Sequence, residues 1–102
     1  MKLEFYPPER LKKEVLEITG RYLDLNLYKP FFFGSRVKGN SLLRADIDIG
    51  IEGPEELPAE IKLMIEEELD ELPTLYKIDF VDFKKSSVGF REEAMKQIET
   101  LR

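Results

Sequence analysis

The sequence predicts an α/β domain in which helices pack on a small mixed β-sheet, with elements in the order α-β-α-β-α-β-α. Stretches with helical spacing of apolar residues alternate along the chain with short runs rich in aromatic and β-branched residues. The apolar fraction of 42% is ordinary for a globular domain. No repeat or Gly/Ser-rich linker divides the 102 residues, so we expect one domain spanning 1–102.

The first elements are predicted to be a helix, a strand and a turn. The helix begins at Pro8, because proline suits the first helical position, and continues to about residue 24. Its apolar residues are Leu11, Val15, Ile18, Tyr22 and Leu25. The aromatic run 29–33 predicts a strand, and Pro30 confines its start to a strand entry or edge. The polar stretch 35–41, which contains glycine, predicts a tight turn into a short helix.

Residues 45–51 alternate strictly between two kinds of side chain, with the two-residue period of a strand. One face would carry Ala45, Ile47, Ile49 and Ile51. The other face would carry Asp46, Asp48 and Gly50.

The second half of the chain predicts a helix, a strand and a last helix. The helix ends before Pro73 and buries one apolar stripe. That stripe consists of Leu57, Ile61, Met64, Ile65, Leu69 and Leu72. Residues 75–83 are rich in aromatic and β-branched types, which favours a third strand. The buried stripe of the last helix would be Phe90, Ala94, Ile98 and Leu101, with Met95 beside it.

The composition excludes several kinds of site. Without Cys or His there is no Ser-His-Asp triad, no cysteine nucleophile and no thiolate or imidazole metal ligand, so catalysis would use carboxylates, hydroxyls, Lys, Arg or a hard cation. The formal net charge of −5 argues against broad attraction to nucleic acid or anionic lipid. No stretch resembles a signal segment or approaches the roughly 20 apolar residues of a membrane span. We therefore expect a cytoplasmic protein without a membrane partner.

Asp46 and Asp48 are the first candidates for chemistry. Carboxylates at positions i and i+2 of a strand share a face and lie roughly 6 to 7 Å apart along the backbone. They repel each other, and a cation would offset that repulsion. Mg²⁺ suits this position because it is typically held by one or two carboxylates together with substrate phosphates. A strand with one solvated face gives the same alternation, so a purely structural interpretation stays open.

Gly34, Ser35 and Arg36 form the second candidate, directly after the aromatic strand. Glycine permits close backbone approach, and the Ser35 hydroxyl with the N–H groups that open the next helix can hold a phosphate. Arg36 and Lys38 could add positive charge. An ordinary Gly-Ser turn is the alternative.

Asp79 and Asp82 form the third candidate, on the predicted third strand. By parity they project to opposite faces, so only one of them can join the acidic pair. The alternative is an aspartate at a sheet edge that deters strand-to-strand aggregation.

The stretch 33–39 (FGSRVKG) together with 46–49 (DIDI) resembles the signature of DNA polymerase β-type nucleotidyltransferases, in which Gly-Ser is followed after a fixed gap by Asp-x-Asp. Here ten residues separate the Gly-Ser pair from the first aspartate. More narrowly, the whole chain is similar to the minimal nucleotidyltransferase (MNT) family, the antitoxins of HEPN/MNT toxin–antitoxin systems. Two positions depart from the family pattern: Ala45 stands where relatives usually carry Ser, and Val37 stands where a small residue is usual.

The resemblance implies a nucleotidyltransferase fold and assigns roles to residues. The triphosphate would contact Gly34, Ser35 and Arg36. Catalysis and the binding of two Mg²⁺ ions would fall to Asp46, Asp48 and Asp79. The run 76–79 (YKID) resembles the family's third-carboxylate strand, so Asp79 would activate the acceptor hydroxyl, and Asp82 is the reserve candidate.

The resemblance also implies a function: transfer of AMP from ATP, or from another NTP, to a tyrosine of a HEPN-domain helical-bundle ribonuclease, which is thereby silenced. A rival hypothesis is a weak or inactive module of the same fold that neutralises its partner by binding alone. Transfer to a small molecule or to RNA is a further alternative, and the acidic charge disfavours RNA. Exposed apolar residues on the outer helices could form a partner interface or a homo-oligomer.

Overall fold

The computed structural model describes residue 3, residues 6–34, residue 37 and residues 46–101. In chain order these contain α1 (Pro8–Tyr22), β1 (Lys29–Phe33), β2 (Ile47–Glu52), α2 (Ala59–Asp70), β3 (Ile78–Asp82), α3 (Val88–Met95) and β4 (Glu99–Thr100). The short helix predicted within 35–41 and the first residue of the predicted strand, Ala45, lie outside the described residues, apart from Val37.

The strands form one mixed sheet in the order β3-β2-β1-β4. Strand β1 pairs antiparallel with β2 and with β4, whereas β2 and β3 are parallel. Helix α2 connects the parallel pair, which is the crossover that parallel strands require. The predicted α/β class with a small mixed sheet is confirmed.

The alternation in β2 separates the two faces of the sheet as predicted. Ile47, Ile49 and Ile51 are at most 1% exposed and pack against the apolar sides of α1 and α2. The buried helix residues of this layer are Leu11, Val15, Ile18, Ile65 and Leu69. Strand and helices each bury one apolar face, so the main core forms between them. Within the described residues, no helix combines the length and the apolar character needed to cross a membrane.

The opposite face of the sheet carries an aromatic cluster of Phe31, Phe33 and Phe83. The ring centroids of Phe31 and Phe33 lie 4.8 and 5.0 Å from that of Phe83, in edge-to-face arrangements. Helix α3 packs on this cluster through Ala94 and Phe90. The sheet is thus covered on this face only in part, which leaves room beside the cluster for polar side chains.

Gly50 lies in β2 next to the cluster, and a Cβ at this position would lie 2.6 Å from ring atoms of both Phe31 and Phe83. We expect Gly50→Ala to lower the free energy of unfolding by about 2–3 kcal/mol, because both rings are fully buried and cannot shift without disturbing the packing. Urea denaturation measures the change. Gly89→Ala is the matched control, since a Cβ there meets nothing within 4 Å. Equal stability of Gly50→Ala and the parent protein would contradict this packing.

The last segment departs from the prediction of one helix. Helix α3 ends at Met95, and Glu99–Thr100 pairs with Phe31 and Phe32 at the outer edge of β1. The apolar stripe predicted for the last helix is therefore divided between two parts of the structure. Phe90 is 43% exposed on α3, whereas Leu101 lies beyond β4 and joins the core beneath α1 and α2. The spacing of the apolar residues in this segment fits a helix. Pairing of Glu99–Thr100 with β1 is favoured instead, because it provides hydrogen-bond partners for backbone groups at the edge of β1.

Helix α2 buries a narrower stripe than predicted. Met64 is 47% exposed, so its inclusion in the stripe is wrong, while Ile65 and Leu69 are buried as predicted. Leu57 precedes the helix and is buried in the same core. A neighbouring position on a helix is rotated by about 100°, which turns Met64 away from the sheet although Ile65 faces it.

Candidate functional site

A row of paired residues crosses the sheet on the aromatic face. Phe33 of β1 pairs with Asp48 of β2, and Asp48 pairs with Asp79 of β3. Because neighbouring strands lie about 4.8 Å apart, the side chains of Asp48 and Asp79 are adjacent. Asp46 lies directly before β2, and its carboxyl group forms a hydrogen bond with that of Asp79. Three of the four aspartates singled out in the sequence, Asp46, Asp48 and Asp79, therefore lie together at one end of β2 and β3.

These carboxyl groups alter each other's protonation. Burial, reinforced by the charges of Asp79 and Asp46, raises the pKa of Asp48 to about 6. Burial also raises the pKa of Asp79; a hydrogen bond with Asp46 and the Asp46 charge add to the rise, and Lys77, 3.8 Å from Asp79, opposes it. A hydrogen bond between two carboxyl groups requires a proton on one of them. The cluster therefore favours binding of a proton or of a cation.

The donor set suits a hard divalent cation, because all three groups offer carboxylate oxygens and carry excess negative charge. Among the described residues, no group of three or more carboxylates is already gathered closely enough to hold a metal ion. Mg²⁺ does not need such a cage, since it usually takes one or two carboxylates and completes its coordination with phosphates and water. The arrangement thus fits an ion that binds together with a phosphate-bearing ligand.

Gly34 lies against the same carboxylate from the end of β1. Its φ is +85°, and a Cβ on it would lie 2.2 Å from Oδ2 of Asp48. Only glycine accommodates both the backbone conformation and the close approach. Ser35 and Arg36, the other predicted phosphate contacts, lie outside the described residues.

Asp82 is separated from this cluster. It is 4% exposed, and its carboxylate oxygens accept hydrogen bonds from the backbone N–H groups of Leu57 at 2.8 Å and Lys84 at 3.0 Å. These bonds tie the loop before α2 to the end of β3. Of the two predicted alternatives for the third carboxylate, Asp79 is therefore the one that lies beside Asp48.

We expect Asp82→Ala to lower the free energy of unfolding by about 2–3 kcal/mol, because the buried N–H of Leu57 loses its acceptor. Asp82→Asn keeps one acceptor oxygen, so its free energy of unfolding should fall less. Urea denaturation measures both, with Glu55→Ala, at an exposed position in the same loop, as control. A loss no larger than that of Glu55→Ala would contradict the structural role of Asp82.

A groove of about 380 Å³ opens beside the aspartates, between α2 and β3. Its lining consists of Asp48, Glu66, Asp70, Lys77, Ile78, Asp79, Phe80 and Val81. Sequence analysis missed Glu66 and Asp70 as parts of this region. On the helix they look like ordinary solvated positions, and no local signal indicates that they face β3.

The metal-free protein should lose stability as the pH rises from about 4 to about 6. The pKa of Asp48 is near 6 in the fold against 3.8 as the ordinary value, so the native state retains a proton that the unfolded chain releases. The resulting cost grows between about pH 4 and pH 6 and persists above it. After allowance for solvent screening, we expect about 1 kcal/mol less stability at pH 7.5 than at pH 5. Denaturation curves of the parent and of Asp48→Asn check this, and an equal pH dependence in both would contradict it.

Comparison with known proteins identifies the family of this protein. Residues 22–101 match the family model described as "Polymerase beta, Nucleotidyltransferase". Because the match spans most of the chain, the protein belongs to this nucleotidyltransferase family. No curated protein matches the sequence at a significant level.

Similar solved structures come from toxin–antitoxin assemblies. One, with AMP-PNP, has a TM-score of 0.73 and 19% identity, over 89% of this chain and 72% of the other. A second, an MntA–HpeT mutant with two Asp→Glu replacements, has a TM-score of 0.71 and 15% identity, over 89% and 71%. A third holds a tri-AMPylated Shewanella oneidensis HEPN toxin with an MNT antitoxin, at a TM-score of 0.61 and 19% identity, over 92% and 71%. The predicted nucleotidyltransferase family and fold are confirmed, and the likeness to the MNT antitoxin structures is one of fold.

Proposed function

We propose that this protein is a magnesium-dependent nucleotidyltransferase that acts as an antitoxin, transferring AMP from ATP to a tyrosine hydroxyl of a HEPN-domain partner. One observation carries the proposal: Asp48 and Asp79 are paired across β2 and β3, with Asp46 hydrogen-bonded to Asp79 and Gly34 against Asp48. The family membership supports the reaction class. The similar structures with AMP-PNP and with an AMPylated HEPN toxin support the nucleotide and the acceptor.

The metal ions would be held by Asp46 and Asp48, with Asp79 as a further ligand. When bound, Mg²⁺ would neutralise negative charge on the phosphates and on the departing pyrophosphate. The spacing of the two replaced aspartates in the MntA–HpeT mutant, one residue between them, is the spacing of Asp46 and Asp48. This supports a shared pair of carboxylates.

The triphosphate would be bound by Gly34, Ser35 and Arg36. Gly34 brings the backbone close to Asp48, so phosphate oxygens and carboxylate oxygens could contact the same ions. The Ser35 hydroxyl would donate a hydrogen bond to a phosphate, and Arg36 would offset its charge.

Transfer would proceed by proton removal and in-line displacement. Asp79 would accept the tyrosine proton, because its carboxylate lies beside Asp48 at the proposed metal site. The tyrosine oxygen then forms a bond to the α-phosphorus while the bond from that phosphorus to the bridging oxygen breaks. Pyrophosphate leaves, and the partner carries AMP on its tyrosine.

A second candidate is a binding module that neutralises the partner by contact alone. One observation favours it: Ala45, directly before Asp46, stands where relatives usually carry Ser, so a hydroxyl is missing next to the first aspartate. A module of this kind would inhibit the partner without chemical change and would not need Asp46.

Incubation with ATP labelled at the α-phosphate, Mg²⁺ and a HEPN-domain partner separates the two candidates. We expect label on a partner tyrosine, identified by mass spectrometry, and loss of labelling with EDTA or with Asp46→Asn. Glu56→Gln, at an exposed position outside the site, is the control and should label normally. Inhibition of the partner without label would support the binding module, and label on RNA or on a small molecule would replace the proposed acceptor.

A further inference from the structure

Strand β3 is the outermost strand of the sheet, and no strand among the described residues pairs with its outer edge. The C=O of Lys77 and the N–H of Phe83 bond to β2, at 2.9 and 3.0 Å. Since backbone groups along a strand point alternately to its two sides, those of Ile78 and Phe80 point outward. A row of outward N–H and C=O groups is a template on which another chain can add a strand.

This edge leads directly to the candidate active site. The outer side of β3 forms one wall of the groove, and Glu66 and Asp70 of α2 line it as well. Asp79 belongs to both regions, because its backbone lies in β3 and its side chain lies beside Asp48. In a segment added along β3, alternate side chains would share the face of these aspartates, and one of them would lie next to Asp79.

The charge of the groove selects the segment. The described lining carries four carboxylates, from Asp48, Glu66, Asp70 and Asp79, against one cation, Lys77. Bound Mg²⁺ would offset the charge of the active-site aspartates but not that of Glu66 and Asp70, which lie on the helix. Electrostatic complementarity therefore favours a segment that contains lysine or arginine.

The geometry points to the free edge of β3 as the docking site of the acceptor polypeptide, which adds there as an extended, basic strand and presents its tyrosine hydroxyl to Asp79. This inference rests on the proposed function for the chemistry that follows docking. Backbone pairing supplies affinity with little dependence on sequence, and Glu66 and Asp70 supply the preference for basic side chains.

Amide hydrogen exchange, followed by NMR on the full chain, tests the docking. The probe is a peptide of roughly ten residues, enough to span β3, with a central tyrosine and alternating lysine and threonine. We expect saturating peptide to slow exchange at Ile78 and Phe80 by at least about 10-fold. The amides of Asp79 and Val81 bond to β2 already and serve as internal controls. Unchanged exchange at Ile78 and Phe80, or protection at another surface, overturns the inference.

Charge variants test the preference for basic segments. Glu66→Lys and Asp70→Lys are each expected to weaken binding of the lysine peptide by about 10-fold. Glu67→Lys makes the same charge change at an exposed position of the same helix that does not line the groove, and it should bind normally. A peptide with glutamate in place of lysine should not protect the edge. The proposed preference for basic segments is overturned if Glu67→Lys weakens binding of the lysine peptide equally, or if the glutamate peptide binds equally well.

The two proposals fail in different ways. Protection of Ile78 and Phe80 by the lysine peptide, without transfer of AMP to any acceptor, would support the docking edge and contradict the proposed chemistry. Transfer of AMP to the HEPN-domain partner, with Ile78 and Phe80 still exchanging freely in the complex, would overturn the docking edge and leave the proposed function standing.

Discussion

Asp48→Asn is expected to lower the rate of AMP transfer by at least about 10³-fold, about 4 kcal/mol of transition-state stabilisation. Asp48 occupies the centre of the row, between Phe33 and Asp79, and Gly34 lies against its carboxylate. An amide keeps the shape but loses the negative charge that would hold a divalent ion. Initial rates of labelled AMP transfer measure the effect.

The same substitution should not harm the fold. Without metal, the ionised Asp48 is destabilised by burial and by its two neighbouring carboxylates, which is why its pKa is raised to about 6. Asp48→Asn removes that repulsion, so the free energy of unfolding at neutral pH should rise by about 1 kcal/mol. Activity lost together with stability, or transfer within a few-fold of the parent rate, would contradict the assigned role.

Gly34→Ala is expected to have the second largest effect, lowering the free energy of unfolding by about 2–3 kcal/mol and transfer by about 10²-fold or more. A φ of +85° is strained for alanine, and its Cβ would lie 2.2 Å from Oδ2 of Asp48. The carboxylate must then move away from its position between Gly34 and Asp79. Urea denaturation and initial rates measure the two losses.

A double-mutant cycle separates the strain from the clash. In an Asp48→Ala background the carboxylate is absent, so Gly34→Ala should cost only the backbone strain, about 1 kcal/mol. Gly89→Ala is the control for a glycine replacement without crowding. If the cost of Gly34→Ala were the same in both backgrounds, the contact with Asp48 would not matter for stability.

Local sequence patterns predicted those features of the site that are determined within a single strand. Alternation in β2 placed Asp46 and Asp48 on the face opposite the isoleucines, and parity placed Asp79 and Asp82 on opposite faces of β3. Which of the latter pair lies beside Asp48 depends on the register between β2 and β3. Register is a tertiary property, and the hydrogen bond from Leu57 to Asp82 spans 25 positions of sequence.

The features that the sequence did not predict also depend on contacts between segments distant in the chain. Strand β4 forms because Glu99 and Thr100 meet the edge of β1, and the sequence around them instead continues the spacing of a helix. The groove depends on how α2 lies along β3, which brings Glu66 and Asp70 towards the aspartates. Neither β4 nor the groove can be predicted from the periodicity of its own segment.

A crystal structure of the protein with Mn²⁺ and AMP-PNP tests most directly whether the three aspartates form a cation and triphosphate site. Mn²⁺ prefers the same oxygen ligands as Mg²⁺, and its anomalous scattering locates it. We expect Mn²⁺ at about 2.0–2.2 Å from carboxylate oxygens of Asp46 and Asp48, with nucleotide phosphates next to Gly34. Nucleotide and metal bound away from Asp46, Asp48 and Asp79 would contradict it.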